Sequence, residues 1–333
     1  MELARAATEL TTAEWARVFE EAAALGCLQV HLSGGEPTAR RDIVEITAAA
    51  RAAGLYTNLI TAGVLLDAGL MERLVAAGLD HVQLSVQDAD EAGAERIGGL
   101  KGAHAAKARA AALVRAAGLP LTLNAVVHRQ NLHNLPALVE RALEWGAARL
   151  EVAHVQYYGW ALANRDALLP TRAQLDEATR VVEAARAAHK GRLVIDYVVP
   201  DYHATRPKPC MGGWGRRFLG VSPAGNILPC HAAESLTGLT FPNARETSLA
   251  AAWADSPAFN AFRGAAWMPE PCRGCERREV DWGGCRCQAF ALTGDAAATD
   301  PACALSPHHG LLQAAVTHAQ GETFRYRQYG RAR

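Results

Sequence analysis

Leu28-Gln29-Val30-His31-Leu32-Ser33-Gly34-Gly35-Glu36-Pro37 runs from a short apolar segment straight into a glycine-rich loop. The segment 28–33 has the length of a strand, and a helix pattern stands on each side of it. Upstream, Thr11-x-x-Glu14 has the form of a capping box ahead of an amphipathic helix reaching about Ala24. Downstream, helix patterns over 41–53, 66–77, 104–117, 135–145 and 173–189 alternate with strand patterns over 55–61, 80–86, 121–128 and 149–155. Gly54, Gly78, Gly118 and Gly146 stand just past helix ends, where a left-handed C-cap is needed. Strict alternation of β and α units predicts an α/β fold with a parallel sheet and helical crossovers. Five strands are visible, and the array opens with a helix where such arrays normally open with a strand. The expectation is therefore a sheet lacking its first strand.

The texture changes near Tyr197. Pro200, Pro207 and Pro209 interrupt the chain and helix periodicity fades, which places a domain boundary at 195–205. Residues 218–221, the turn Ser222-Pro223-Ala224-Gly225 and residues 226–228 read as a hairpin, and loops rich in Gly, Pro and Cys follow. Residues 311–333 read as a polar or weakly helical tail. The chain of 333 residues carries 34 basic and 34 acidic side chains, so it lacks the charge footprint of a general nucleic-acid or acidic-membrane binder. No stretch approaches the roughly 18 apolar residues of a membrane span. Met-Glu-Leu-Ala-Arg-Ala-Ala at the start does not have the layout of a secretory signal. The expected location is cytoplasmic.

Of eight cysteines, Cys27 stands alone and reads as a small core residue. The other seven have the spacing Cys210-x14-Gly225-x4-Cys230, then Cys272-x2-Cys275-x5-Asp281-x3-Cys285-x1-Cys287-x15-Cys303. In a reducing compartment such clustering points to metal ligands, and the spacing alone leaves both iron–sulfur clusters and structural zinc open. Gly225 supplies the positive φ that a hairpin turn between Cys210 and Cys230 needs. Seven thiolates are one short of two four-ligand sites. Asp281, at a ligand-like spacing, is the candidate eighth ligand; its alternative role is a turn or capping acid.

Ligands of β/α arrays bind at the C-terminal ends of the strands. There Gly34 and Gly35 let backbone groups approach a ligand, Glu36 can accept bonds from a protonated amine, and Pro37 stiffens the exit. Thr61, Ser85, Gln87, Asn124, His128, Gln156, Tyr157 and Tyr158 follow other strands and together read as the lining of one pocket. No phosphate-binding Gly-x-x-x-x-Gly-Lys loop, Gly-x-Ser-x-Gly elbow or His-Glu-x-x-His helix is present.

Gly34-Gly35-Glu36-Pro37 after a strand resembles the loop by which radical SAM enzymes hold the methionyl amine of S-adenosylmethionine, and the cysteine spacing resembles a SPASM domain. The segments 156–161, 208–215 and 285–295 are similar to the pyrroloquinoline quinone (PQQ) branch of that superfamily, the PqqE family. The resemblance covers nearly residues 1–310. It implies a partial (β/α)6 TIM-like radical SAM barrel lacking its first strand over 1–198, a SPASM domain of irregular loops and a hairpin over 199–310, and a tail over 311–333. It implies that Cys210, Cys230, Cys285 and Cys287 hold a first auxiliary cluster, and that Cys272, Cys275, Asp281 and Cys303 hold a second. Gly34, Gly35, Glu36, Pro37, Ser85, Gln87 and Asn124 would bind S-adenosylmethionine. The implied reaction is a carbon–carbon crosslink between Glu and Tyr side chains of the precursor peptide PqqA. The implied partners are the peptide chaperone PqqD and a flavodoxin-like or other reductant.

The sequence departs from that family in one respect. Radical SAM enzymes bind their SAM-cleaving 4Fe–4S cluster with Cys-x3-Cys-x2-Cys after the first barrel strand, and this chain has no such motif. The favoured expectation is a gene start placed too late, so that the restored protein is the active enzyme and the chain as written does not cleave S-adenosylmethionine. The alternatives are a cluster-less paralogue acting as a peptide- or chaperone-binding or electron-transfer module, and another SPASM peptide maturase of the anaerobic sulfatase-maturating or mycofactocin type.

Overall fold

Thr11 and Glu14 form the expected capping box, each side chain bonding the other's backbone N–H, and start α1 (Thr12–Ala24). The computed structural model describes residues 9–319, 321 and 323–325. After α1 come β1 (Gln29–Leu32), α2 (Ile43–Ala52), β2 (Tyr56–Thr61), α3 (Ala68–Ala76), β3 (His81–Val86), α4 (Glu91–Gly98), α5 (Ala103–Ala116), β4 (Leu121–Val127), α6 (Leu135–Glu144) and β5 (Arg149–His154). The short α7 (Gly159–Ala163) and α8 (Arg165–Leu168), then α9 (Arg172–Ala188), lead to β6 (Val194–Val198).

Among the described residues six strands form one parallel sheet in the order β1-β2-β3-β4-β5-β6. The register sorts the side chains into two faces. One row runs Leu84, Leu123, Leu150, Ile195 and is buried under the crossover helices in the main core. The row on the opposite face runs Ser85, Asn124, Glu151, Asp196. The sheet thus has a dry outer face and a polar inner one.

The sixth strand corrects the count of five. β6 is an edge strand whose Val194 is 50 % exposed, and Asp196 interrupts its apolar run, so its pattern falls short of a buried parallel strand. It ends where the domain boundary was expected. α4 was also missed, because Gly93, Gly98 and Gly99 lower its helix signal. Asp90 caps it through Gly93 N–H at 2.7 Å, and Gly99 ends it at φ +69°.

Beyond β6 come the antiparallel hairpin β7 (Gly220–Val221) and β8 (Ile227–Leu228), α10 (Leu249–Asp255), α11 (Pro257–Asn260), α12 (Arg286–Thr293) and α13 (His309–His318). Gly225 has the expected positive φ, +95°, in the hairpin turn. α13 starts just ahead of the expected tail at 311 and runs into it, with Leu312 and Ala315 buried beside Tyr157, Leu168 and Tyr202; residues 320, 322 and 326–333 of that expectation lie outside the described residues. α1 serves two cores. Phe19 joins the main core, while Val18 and Ala22 pack with Leu10, Ile227, Leu249 and Phe259. Among the described residues no helix is long and apolar enough to cross a membrane.

Candidate functional site

Glu36 caps a 3-10 turn, Pro37–Ala39, directly after β1. Its Oε1 accepts from the Thr38 N–H at 3.1 Å and the Thr61 hydroxyl at 2.6 Å, and its Oε2 accepts from the Ala62 N–H at 2.8 Å. A carboxylate offers about four acceptor positions, so Oε2 retains capacity for an incoming N–H. Gly34 adopts φ +128°, a conformation that disfavours a side chain.

Lys107 faces the same corner. It lies on the buried stripe of α5 with Ala103, Ala110, Ala111 and Val114 and is 4 % exposed. Its Nζ donates to the Ser85 carbonyl at 2.6 Å and to Gln87 Oε1 at 2.7 Å. Burial pushes the ammonium down to about 8, against the pull of the Glu36 carboxylate. Asn124 donates to Glu151 Oε2 at 2.7 Å on the inner face, level with Ser85. The expected pocket lining is therefore assembled in part. Thr61, Ser85, Gln87 and Asn124 gather at this mouth, but His128 and Tyr157 are 5 % and 2 % exposed and turn into the core. Burial lowers His128 to about 4, helped by Arg96. Gln156 bonds the His154 carbonyl at 3.2 Å.

Cys210, Cys230, Cys285 and Cys287 come together from four places: a turn after Pro209, the end of β8, the cap of α12 and its first turn. Their side chains bond one another, Cys285 to both Cys210 and Cys287, and Cys287 to Cys230. Donation from Cys210 holds Cys285 well below the ordinary thiol range, and donation from Cys287 lowers Cys230. The same bonds, with burial, push Cys210 and Cys287 up. Backbone N–H groups of Arg286, Ala232 and Gln288 point at the sulfurs of Cys210, Cys230 and Cys285. Tyr158 follows β5 and senses all four sulfurs; burial first, then their negative charge, raises its phenol. It links the sheet's mouth to this thiol group.

Cys272, Cys275, Asp281 and Cys303 line a second cavity, walled by Arg206, Thr299 and Gly283. Arg206 Nη1 approaches Cys303 Sγ at 3.5 Å, the Arg277 N–H donates to Cys275 Sγ at 3.4 Å, and Cys272 Sγ donates to the Thr299 hydroxyl at 3.5 Å. Asp281 acts as a turn acid and also faces the cavity where it was considered as a ligand. Oδ1 accepts from Gly283 N–H at 3.2 Å as a turn acid, while the side chain lines the cavity and Oδ2 pairs with Arg277 at 3.4 Å. Among the described residues no three His, Cys, Asp or Glu side chains close on a point suited to a single metal ion. The first site is a contiguous group of four thiols and the second a cavity lined by three thiols and a carboxylate, with N–H groups on sulfurs of both. That chemistry fits iron–sulfur clusters.

The radical SAM superfamily profile matches residues 2–142, which hold β1 to β4, and the SPASM iron–sulfur cluster-binding domain matches residues 210–276. A PqqA peptide cyclase of Granulibacter bethesdensis is 61 % identical over 335 residues, covering 100 % of this chain and 89 % of the relative. A PqqA peptide cyclase of Gluconobacter oxydans is 61 % identical, covering 99 % of this chain and 92 % of the relative. The chain belongs to the PqqA peptide cyclase family. Among solved structures, Streptococcus suis SuiB bound to S-adenosylmethionine superposes with a TM-score of 0.74 at 21 % identity, covering 88 % of this chain and 70 % of SuiB. Native anSMEcpe with bound AdoMet and a Kp18Cys peptide gives 0.65 at 16 % identity, covering 92 % and 87 %. Both are likenesses of fold.

The chain is thus a radical SAM enzyme with an iron–sulfur cluster-binding domain. In this PqqA peptide cyclase relative the domain match includes Cys210, Cys230, Cys272 and Cys275, and the structure adds Cys285, Cys287, Cys303 and Asp281 to the same two sites. Sequence reading missed Lys107 and Glu151. Lys107 had a usable signal, since it occupies a core position of the α5 stripe; Glu151 alternates inward between Leu150 and Val152 like any strand acid.

Proposed function

We propose that this chain, when joined to the Cys-x3-Cys-x2-Cys segment that a SAM-cleaving cluster requires, acts in PQQ biosynthesis as the radical SAM enzyme that joins a glutamate side-chain carbon of PqqA to the ring of a tyrosine, with loss of two hydrogen atoms from the peptide. The observation that carries the reading is the pairing, in one chain, of a pinned Glu36 carboxylate at a strand-end mouth with two four-donor sites, the first reached through Tyr158. Gly34, Gly35, Glu36, Pro37, Ser85, Gln87 and Asn124 bind S-adenosylmethionine. Glu36 Oε2 takes its ammonium, and Lys107 puts a cation beside Ser85 and Gln87 for its carboxylate. Cys210, Cys230, Cys285 and Cys287 hold one auxiliary cluster, and Cys272, Cys275, Asp281 and Cys303 the other. S-adenosylmethionine would supply the hydrogen-abstracting radical on one-electron reduction by the SAM-cleaving cluster of an added Cys-x3-Cys-x2-Cys segment, and the two auxiliary clusters would supply a route for the surplus electron. The residues themselves orient the cofactor, shield the mouth and hold the sulfurs together for the clusters. PqqD presents the peptide, a flavodoxin-like protein or another reductant supplies electrons, and the protein works in the cytoplasm. The barrel region is 1–198, the SPASM region 199–310, and a tail follows.

The test is anaerobic reconstitution, with iron and sulfide measured, then incubation with PqqA, PqqD, S-adenosylmethionine and reductant and mass spectrometry of the peptide. The chain is run as it stands and with a Cys-x3-Cys-x2-Cys segment placed ahead of it. Iron and sulfide for two clusters in the former, and dehydrogenated, crosslinked peptide from the latter, are expected. No crosslink from either sinks the assigned reaction. Asp281→Ala is expected to lose or alter one cluster's spectrum and leave the other; two unaltered spectra remove Asp281 from the ligands.

A further inference from the structure

Arg286 lies between the two cysteine sites and is 1 % exposed. It is flanked in sequence by Cys285 and Cys287, and its backbone N–H donates to the sulfur of Cys210. Its side chain runs the other way. Nη1 donates to the carbonyls of Ala296 and Ala298 at 2.9 and 2.8 Å, Nη2 to that of Gly283, and Nε to that of Gly284 at 3.4 Å. Gly283 is a wall of the second cavity. The guanidinium stacks over Trp267, 4.7 Å from the ring centroid.

Every one of these bonds ends on a neutral carbonyl. They satisfy the donors but do not cancel the charge, and an uncancelled buried guanidinium is expensive. The first of the negative groups that attract it is the Asp300 carboxylate. Asp300 is fully buried; its Oδ2 accepts from the Cys285 N–H at 2.6 Å and its Oδ1 from Gln288 at 2.9 Å. One fixed cation therefore adjoins both sites, flanked by Cys285 and Cys287 of the first and anchored on Gly283, which lines the second with Cys272.

We propose that Arg286 is a positioning residue shared by the two auxiliary centres, a permanent cation that raises the reduction potential of both, and of the first more than the second. This rests on the cluster assignment above. Reduction adds negative charge to a cluster, and net charge around the sulfurs is one of the settings of its potential. A guanidinium held by carbonyls favours the reduced form on either side, which makes both centres better electron acceptors.

The experiment is redox titration of the reconstituted protein followed by electron paramagnetic resonance, with iron and sulfide measured first. The second centre's signal is identified as the one Asp281→Ala alters. If the unsubstituted chain fails to load two clusters, the cluster assignment falls and Arg286 is not at issue. With two clusters loaded, Arg286→Gln should lower both midpoint potentials, the first more, and Arg286→Lys should lower them less. Unmoved potentials in a fully loaded Arg286→Gln protein, or a shift in one centre alone, overturn the shared role. Should Arg286→Gln not load, Arg286→Lys decides: moving the charge out of the carbonyl cradle should lower both potentials, the first more, and unchanged values refute the proposal.

Discussion

The parallel sheet and the cysteine-rich region are built by different means. The sheet's core draws on all six strands and their crossover helices, and none of its buried members is a thiol. The core around the first cysteine site is Cys210, Trp214, Cys230, Ala233, Leu236 and Cys287, so half of its six buried residues are proposed ligands. One region buries hydrocarbon for its stability; the other gathers metal donors where hydrocarbon would otherwise be.

Removing the metal should break this contrast most visibly. Structural metal sites contribute on the order of 10 kcal/mol to the regions they hold. Chelation is expected to open residues 199–310 to proteolysis while the sheet stays resistant, and limited proteolysis with mass mapping checks it. Loss of both regions together would show that they do not differ in this way.

Acid should act on the sheet instead. His128 and His154 are buried and held near 4, below the ordinary imidazole value of 6.5, chiefly by burial; Arg96 adds to it at His128, and Lys208, His203 and His128 at His154. The unfolded chain binds more protons between those values, so stability is full above about pH 6.5 and falls as pH drops toward 4, by at most about 3 kcal/mol per histidine. Urea titrations at a series of pH values should show this slope, and His154→Gln should flatten it.

Leu123, fully buried in the sheet core, is expected to cost about 2–5 kcal/mol on truncation to Ala without changing iron content. A fall in bound iron would couple the two regions more tightly than their separate cores suggest. The smallest effect concerns α1. Thr11→Ala removes half of its capping box and should cost about 1 kcal/mol in a urea midpoint.

What could be read from the sequence follows the same division. Five of six strands, the capping box and the hairpin turn are visible because each is a local pattern of period or cap. β6 is not, since an edge strand with Asp196 in it lacks the run of a buried one. The membership of the two thiol sites depends on chain segments far apart. Spacing shows that Cys272 and Cys275 act together, but only the folded chain brings Cys303 to them and Cys210 to Cys285. Asp281 is singled out by a count of ligands, and the fold places it on the second cavity. Lys107 and Arg286 are ordinary basic residues in sequence, and become unusual only through the burial the fold imposes.

α1 bears on how such enzymes can be recombined. Besides its two packed faces, Glu14 pairs with Arg245 at 2.8 Å, Glu21 accepts from the Leu249 N–H at 2.6 Å, and just ahead of the helix Leu10 N–H reaches the Pro223 carbonyl at 2.8 Å. The proposed boundary near residue 198 is therefore one of the chain more than of the solid. A chimaera cut there would leave a foreign cysteine-rich region resting on a helix shaped for the native one, so transplantable modules in this architecture should carry α1 along with the residues that follow the sheet.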